Sequence, residues 1–312
     1  MNDELRATEN TPLVSICIGT YNRENYVREC LDSALGQTYP RTEIVVVDDA
    51  STDRTVEILR EYGDRITLIL RDTNSGICPI TRNQAIQAST GTYIALLDSD
   101  DAWYPEKIER QVDFLESHPG IPLCHTACRI IDEDSREREV RHEGSIPATG
   151  AYFRPLLEHC WITISSVMMR RSFYDEIGPF NHLPPYGYLG EDYEFFLRTA
   201  ARYPIGFLPD VLGKYRKSSA GITSGNWKAM PESVPFYQAL LRDTHLWKDV
   251  IARCELKSAI VRACLTNSVF WRGRAKPGRS LWAIRQGLRV APFSSALWAE
   301  AARTLGRAAW PG

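Results

Sequence analysis

Three carboxylates stand within four residues at Asp98-Ser99-Asp100-Asp101, and two more adjoin at Glu191-Asp192. Like charges this close raise one another's proton affinity, and they are costly to fold unless a cation or hydrogen-bond donors compensate. Hard cations such as Mn2+ and Mg2+ take carboxylate oxygens and commonly share substrate phosphates with them. Asp98, Asp100 and Asp101 are therefore candidate metal ligands, with a diphosphate as the natural partner. A second reading stays open beside it: a solvated acidic turn that caps the helix opened by Pro105. Glu191 and Asp192 begin the amphipathic stretch Tyr193 to Ala201, where negative charge is favourable in its own right.

Four apolar segments precede or contain these groups: Leu13 to Gly19, Thr42 to Asp48, Ile66 to Leu70 and Thr92 to Leu97. Between them lie helical spacings, Tyr26 to Leu35 with Val27, Leu31 and Ala34 in phase, a helix through Val56 and Leu59 behind Ser51-Thr52-Asp53, and Ile80 to Ala88. A further helix opens at Pro105, shows Ile108, Val112 and Leu115 on one face, and ends at Pro119-Gly120. Strands that are apolar throughout and alternate with helices predict an α/β fold, a mostly parallel sheet covered on both faces. In such sheets ligands bind beyond the carboxyl ends of the strands. Three of the four strands end in ligand-competent residues: Gly19-Thr20-Tyr21-Asn22-Arg23, Asp48-Asp49-Ala50-Ser51-Thr52-Asp53 and Asp98-Ser99-Asp100-Asp101. Their convergence favours metal–diphosphate binding over the simple cap, with Thr20, Tyr21, Arg23, Asp49, Asp98 and Ser99 as candidate contacts for that ligand.

The same segments carry a resemblance. Val14 to Arg23, Glu43 to Asp53, Gly76 with Thr81-Arg82-Asn83-Gln84-Ala85, Gly91 to Asp101, and Gly190-Glu191-Asp192-Tyr193-Glu194-Phe195 resemble, in order, the signatures of family 2 glycosyltransferases over residues 12–217. The resemblance implies a GT-A fold and inverting, metal-dependent transfer from a nucleotide-sugar, with a uridine donor favoured. It implies that Tyr21 packs on the base, Asp49 accepts from its imide, and Arg82 faces ribose or diphosphate. Asp98 and Asp100 would hold ribose and Mn2+ or Mg2+, with Asp101 sharing the work. Asp192 of the Glu-Asp pair would be the catalytic base, and Glu191 would orient it or bind acceptor. Trp103 and Trp161 are candidates to border the acceptor, since aromatic faces suit sugar rings; core packing is the competing role. Some members carry a histidine after a late Tyr-Arg pair, whereas Lys214-Tyr215-Arg216-Lys217 places lysine there. The expected division is a flexible start (1–11), a nucleotide-sugar half (12–120), an acceptor half (121–232) and a helical basic region (233–312).

Composition limits the partners. The chain has 312 residues, 44% hydrophobic and 24% charged, and enough length for a core without disulfide or structural metal. Its eight cysteines form no CxxC pair and several sit in apolar runs, as reduced core residues of a cytoplasmic protein do. The net charge of −2 conceals an asymmetry: residues 248–312 carry 12 Lys+Arg against 3 Asp+Glu, leaving 25 against 36 for residues 1–247. This excludes a general nucleic-acid binder but gives the tail an affinity for anionic partners. Five of the eight tryptophans, Trp247, Trp271, Trp282, Trp298 and Trp310, lie in or immediately before that tail. Two roles stand open for it: peripheral attachment to an anionic membrane surface at the inner face of the plasma membrane, or a helical bundle with a charged outer face. No apolar run approaches the ~20 residues that span a bilayer. A saccharide or lipid-linked acceptor fits the family resemblance, in bacterial cell-surface polysaccharide or glycolipid synthesis. A phosphatase with an aspartyl nucleophile is disfavoured because the cluster follows the fourth strand rather than the first, and a sugar nucleotidyltransferase because a Gly-rich loop after the first strand is missing. A non-catalytic sugar- or nucleotide-binding protein on the same scaffold is the rival from another class.

Overall fold

The computed structural model describes residues 11–141, 144–158, 160–182, 190–217, 253–273 and 276–309. The described residues separate into two compact units. The first comprises residues up to His182 and Glu191–Ser219; the second comprises Leu183–Gly190 and everything from Ala220 onwards.

The first unit is built on a single mixed sheet. Strands β1 (Val14–Thr20), β2 (Thr42–Asp48), β3 (Thr67–Leu70) and β4 (Tyr93–Asp98) are followed by β5 (Ala102–Trp103), β6 (Leu123–Ile131), β7 (Glu137–Val140), β8 (Met168–Arg170) and β9 (Ile205–Arg216). Their spatial order is β3-β2-β1-β4-β8-β6-β9-β5, with β7 paired to β6. The four early strands run parallel, and β8 joins antiparallel to β4 and β6. Parallel strands need crossover helices. These are α1 (Val27–Leu35), α2 (Thr55–Arg60), α3 (Cys78–Ala88) and α4 (Lys107–Ser117). Ile16 and Ile18 of β1, Val46 of β2 and Ala95 and Leu97 of β4 bury against Leu31 of α1, Leu59 of α2 and Ile108 of α4. Each aliphatic side chain so removed from water is worth about 1.5–3 kcal/mol. Cys17, Val45 and Val47, pointing to the opposite face, are buried too, with Ala85 and Ile86 of α3. Being buried on both faces is why these strands read as unbroken apolar runs. Helices α5 (Phe153–Glu158), α6 (Arg171–Ile177) and α7 (Glu191–Ala200) complete the unit.

In the second unit the described residues form three helices, α8 (Arg253–Gly273), α9 (Pro277–Val290) and α10 (Ser295–Ala309). Ile260, Cys264, Ile284, Leu297 and Ala301 supply its apolar interior. Gly287 permits a close approach, since a Cβ there would fall 2.8 Å from Leu297 Cδ1. A polar seam runs through it: Ser280 Oγ lies 2.7 Å from Ser268 Oγ and 3.0 Å from Thr304 Oγ1, and buried Glu300 accepts from Arg272 Nε at 2.8 Å and Arg303 Nε at 2.9 Å. Leu305, in helical phase with Leu297 and Ala301, is 54% exposed, because Glu300 and Thr304 take the inward positions beside them. Trp247 and Trp310 lie outside the described residues. Among the described residues no helix is long and apolar enough to cross a membrane.

Candidate active site

The carboxyl ends of β1, β2 and β4 lie side by side, with Gly19 opposite Asp98 and Thr20 opposite Asp48 in parallel register. Past each of the first two strands the backbone enters the left-handed region, at Asn22 (φ 50°) and Ala50 (φ 62°). Asparagine visits that region readily; alanine does so at a cost of about 1–2 kcal/mol. Interlocked hydrogen bonds hold both turns. Asp48 accepts from Ser51 N–H (2.9 Å) and Ser51 Oγ–H (2.5 Å), and Ser51 Oγ accepts Asn22 N–H at 2.9 Å. Asn22 Oδ1 accepts Thr52 N–H at 2.8 Å, and Arg23 N–H donates to Thr55 Oγ1 at 2.7 Å. Tyr21, between the turns, is 41% exposed and free to offer its ring.

Asp49 is buried and fully engaged. Ser75 donates its N–H to both carboxylate oxygens at 3.0 Å and its Oγ–H to Oδ2 at 2.7 Å, while Arg71 Nε lies 2.8 Å from Oδ1. Arg71 and Ser75, which the sequence does not single out, thus fix the Asp49 carboxylate beyond the end of β2. The Thr20 hydroxyl is buried there with no hydrogen-bond partner among the described residues.

Arg82 reaches the site because α3 comes unusually near β1: a Cβ at Gly19 would fall 2.4 Å from Thr81 Oγ1. Its guanidinium is buried against the Phe180 ring, 5.0 Å from the centroid. Nη2 lies 3.3 Å from Asp98 Oδ1 and Nη1 donates to Glu191 Oε1 at 2.9 Å. One arginine therefore bridges the end of β4 to the start of α7. Its neighbour Asn83 clamps the adjoining loop, donating Nδ2–H to Phe180 O (2.8 Å) and accepting Phe180 N–H (3.0 Å). Burial opposes the Arg82 charge, but Asp98 and Glu191 more than offset it and hold its pKa above the ordinary arginine value.

The carboxylates respond to the same surroundings. Burial first, then Asp100 and Glu191, push Asp98 up to about 6 against the pull of Arg82. Its side chain is still 42% exposed, so water moderates the effect of burial. Asp192 rises to about 7, again through burial first and then Glu191, with Arg82 opposing. Glu191 is committed to Arg82, whereas Asp192 accepts only the N–H of Tyr193 at 2.6 Å among the hydrogen bonds described. Raised carboxylates beside a cationic bridge are a pattern that acid–base sites share.

The acidic turn separates its three members. Asp100 is 35% exposed at its side chain, 3.4 Å from Arg23 Nε. Asp101 is buried and turned inward, where Oδ2 accepts Ser165 Oγ–H at 2.6 Å and Oδ1 accepts the Arg216 N–H at 2.7 Å. Ser99 is buried. Trp103, expected near the acceptor, lies instead in the core: its indole N–H donates to Ser165 O at 2.6 Å and Lys107 Nζ stands 3.9 Å above its ring. An indole so enclosed has no face left for a sugar. Trp161 is half-buried, and Lys217 lies exposed after β9. Among the described residues no group of three or more His, Cys, Asp or Glu side chains converges as a metal cage. Two open carboxylates are nevertheless the donor set with which Mg2+-like cations bind when substrate phosphates complete the shell.

The family model for glycosyl transferase family 2 matches residues 15–178, more than half of the chain. The chain belongs to that family. An uncharacterized glycosyltransferase of Rickettsia felis is 34% identical over 215 residues, 66% of this chain and 34% of its own length, so the family member described here spans about a third of that relative. A putative teichuronic acid biosynthesis glycosyltransferase, TuaG of Bacillus subtilis, is 40% identical over 107 residues, 33% of this chain and 42% of that one. Among solved structures, S. aureus TarS 1-349 in complex with UDP-GlcNAc superposes with a TM-score of 0.66 at 19% identity, covering 94% of this chain and 89% of TarS. The mannosyltransferase PcManGT of Pyrobaculum calidifontis, in complex with GDP-Man and Mn2+, gives 0.56 at 19% identity, with 94% and 87% covered. This family 2 member thus has the GT-A fold, and its C-terminal helices follow the sheet domain in sequence.

Proposed function

We propose that this family 2 glycosyltransferase inverts the anomeric centre of a nucleotide-diphosphate sugar, UDP-sugar favoured, as it passes the sugar to a hydroxyl acceptor. The observation that supports the reading most is the Arg82 bridge. It ties the donor-side Asp98 to Glu191 and leaves the neighbouring Asp192, with its raised proton affinity, as the general base. In the transfer, the acceptor oxygen bonds to the anomeric carbon as the bond to the diphosphate breaks, and the hydroxyl proton passes to Asp192. Arg82 and Arg23 offer guanidinium donors to phosphate oxygens, for which their planar forks are suited. Tyr21 gives the base a stacking face, Thr20 offers an unused hydroxyl, and Asp49, held by Ser75 and Arg71, stands at the base end. Asp98 and Asp100 are the residues that would hold Mn2+ or Mg2+, whose chemistry when bound is neutralisation of charge on the departing diphosphate.

The acceptor is proposed to be a saccharide or lipid-linked saccharide of bacterial surface polymers, in keeping with the relative named for teichuronic acid biosynthesis. Work at the cytoplasmic membrane face fits the second unit, where Trp282 is 39%, Phe293 96% and Trp298 58% exposed amid arginines. The domain halves 12–120 and 121–232 would divide donor from acceptor recognition.

The deciding experiment is a donor-hydrolysis screen across UDP-, GDP- and TDP-sugars with Mn2+ or Mg2+. Metal-dependent release of nucleotide from one donor, lost on Asp100→Ala, is expected. Tight nucleotide binding without turnover of any donor, unaffected by Asp192→Asn, would instead identify a non-catalytic binding protein on this scaffold.

A further inference from the structure

The acidic turn is tied down at four points by residues outside it. Asp98 N–H donates to Ser165 Oγ at 3.0 Å, and the Ser165 hydroxyl donates onward to Asp101 Oδ2 at 2.6 Å. Arg216 donates its backbone N–H to Asp101 Oδ1 at 2.7 Å and its Nε–H to Asp100 O at 2.7 Å. A hydroxyl has one proton to give, so Ser165 has a fixed orientation: proton towards Asp101, lone pair towards Asp98. The anchors are themselves anchored. Ser165 is 1% exposed, and its carbonyl accepts the Trp103 indole N–H at 2.6 Å. The Arg216 side chain is 1% exposed and pairs with Glu29 at 2.5 Å and with Asp132 O at 2.8 Å. With Asp101 consumed by these bonds, the side chains of Asp98 and Asp100 remain the open ones, at 42% and 35%.

We propose that Ser165, acting through Asp101 and backed by Arg216, is a positioning residue that sets the two outward carboxylates of the turn for cation and diphosphate, and that Asp101 belongs to this clamp rather than to the ligand set. The inference rests on the donor-site reading above and deepens it. Ser165, 1% exposed, is enclosed behind the turn. Its removal acts through the turn, as outer-shell groups around metals do.

The test measures Mn2+ affinity by calorimetry in the presence of UDP, on full-length wild type, Ser165→Ala, Ser165→Thr, Asp101→Asn and the Ser165→Ala/Asp101→Asn double variant, with circular dichroism to verify folding. Ser165→Ala is expected to weaken Mn2+ by about 10- to 100-fold, with Ser165→Thr recovering most of it. The double variant should be no worse than the weaker single, because both break one clamp. Hydrogen exchange over residues 96–103 should quicken in Ser165→Ala. Should Ser165→Ala fail to fold, Ser165→Cys, a weaker donor and acceptor, takes its place. Unchanged exchange and affinity within twofold of wild type would overturn the proposal, as would single effects that multiply in the double variant. If wild type binds neither Mn2+ nor UDP, the donor-site reading fails, and the exchange result alone then decides whether Ser165 positions the turn.

Discussion

Asp192 and Asp98 hold their protons more tightly than ordinary carboxylic acids, although the same buried Arg82 pulls both the other way. A base works as the carboxylate, so turnover should climb as pH rises through about 7, the value to which Asp192 is pushed, and then level off. Asp192→Asn should lower kcat by about 10²- to 10⁴-fold and abolish that rise, while donor binding persists; kcat followed across the neutral range checks both. Arg82→Lys keeps the charge but cannot reach Asp98 and Glu191 together through one planar fork. A fall in kcat larger than the rise in KM for donor is expected in steady-state kinetics. At this scale the sequence displayed the acids, Tyr21 and Arg82 through motif spacing. It could not display that Glu191 is spent on Arg82, that Asp101 turns inward, or that Trp103 is enclosed, because a side chain's direction depends on elements distant in sequence.

At the scale of elements, closeness between β1 and α3 is the geometric condition for the site. Gly19→Ala should force Thr81 away, costing about 1–3 kcal/mol of stability and disturbing Arg82; chemical denaturation and donor hydrolysis would register the two losses separately. Helix α4 carries a different device. Lys107 is fully buried, with Nζ donating to Gln111 Oε1 at 2.5 Å, and burial pushes its amine down to about 7 from 10.5. Between those values the unfolded chain binds more protons than the folded one, so this group makes folding more favourable as pH rises. Lys107→Met should remove that slope and stabilise most at the lower end of the window, as denaturation at several pH values would show. The early strands and helices are legible because each is apolar throughout or periodic. Strands β6 and β9 are not: β6 buries His125 and Thr126 beside its cysteines, and β9 contains Pro209, Asp210 and Lys214. Residues 121–225 therefore read as irregular, although they supply β8, β9 and the Ser165 turn.

At the scale of the whole molecule, charge is distributed unevenly, with residues 248–312 basic and the rest of the chain acidic. The helical second unit exposes Phe293, Trp298 and Leu305, and its basic character suits anionic lipid. Full-length protein should float with anionic but not neutral vesicles, and truncation near Ser233 should abolish flotation; equal behaviour of both forms would sink the membrane reading. The sequence by itself determined the α/β class, the order of the motifs and the strand ends that carry chemistry, since hydrophobic period and residue type are local properties. Only the tertiary structure decided how the acidic cluster is arranged. Asp101 turns inward, while the Asp98 and Asp100 side chains stay part-exposed, because Ser165 and Arg216, distant along the chain, capture Asp101, and hydrogen bonds between distant segments leave no periodic trace in a sequence.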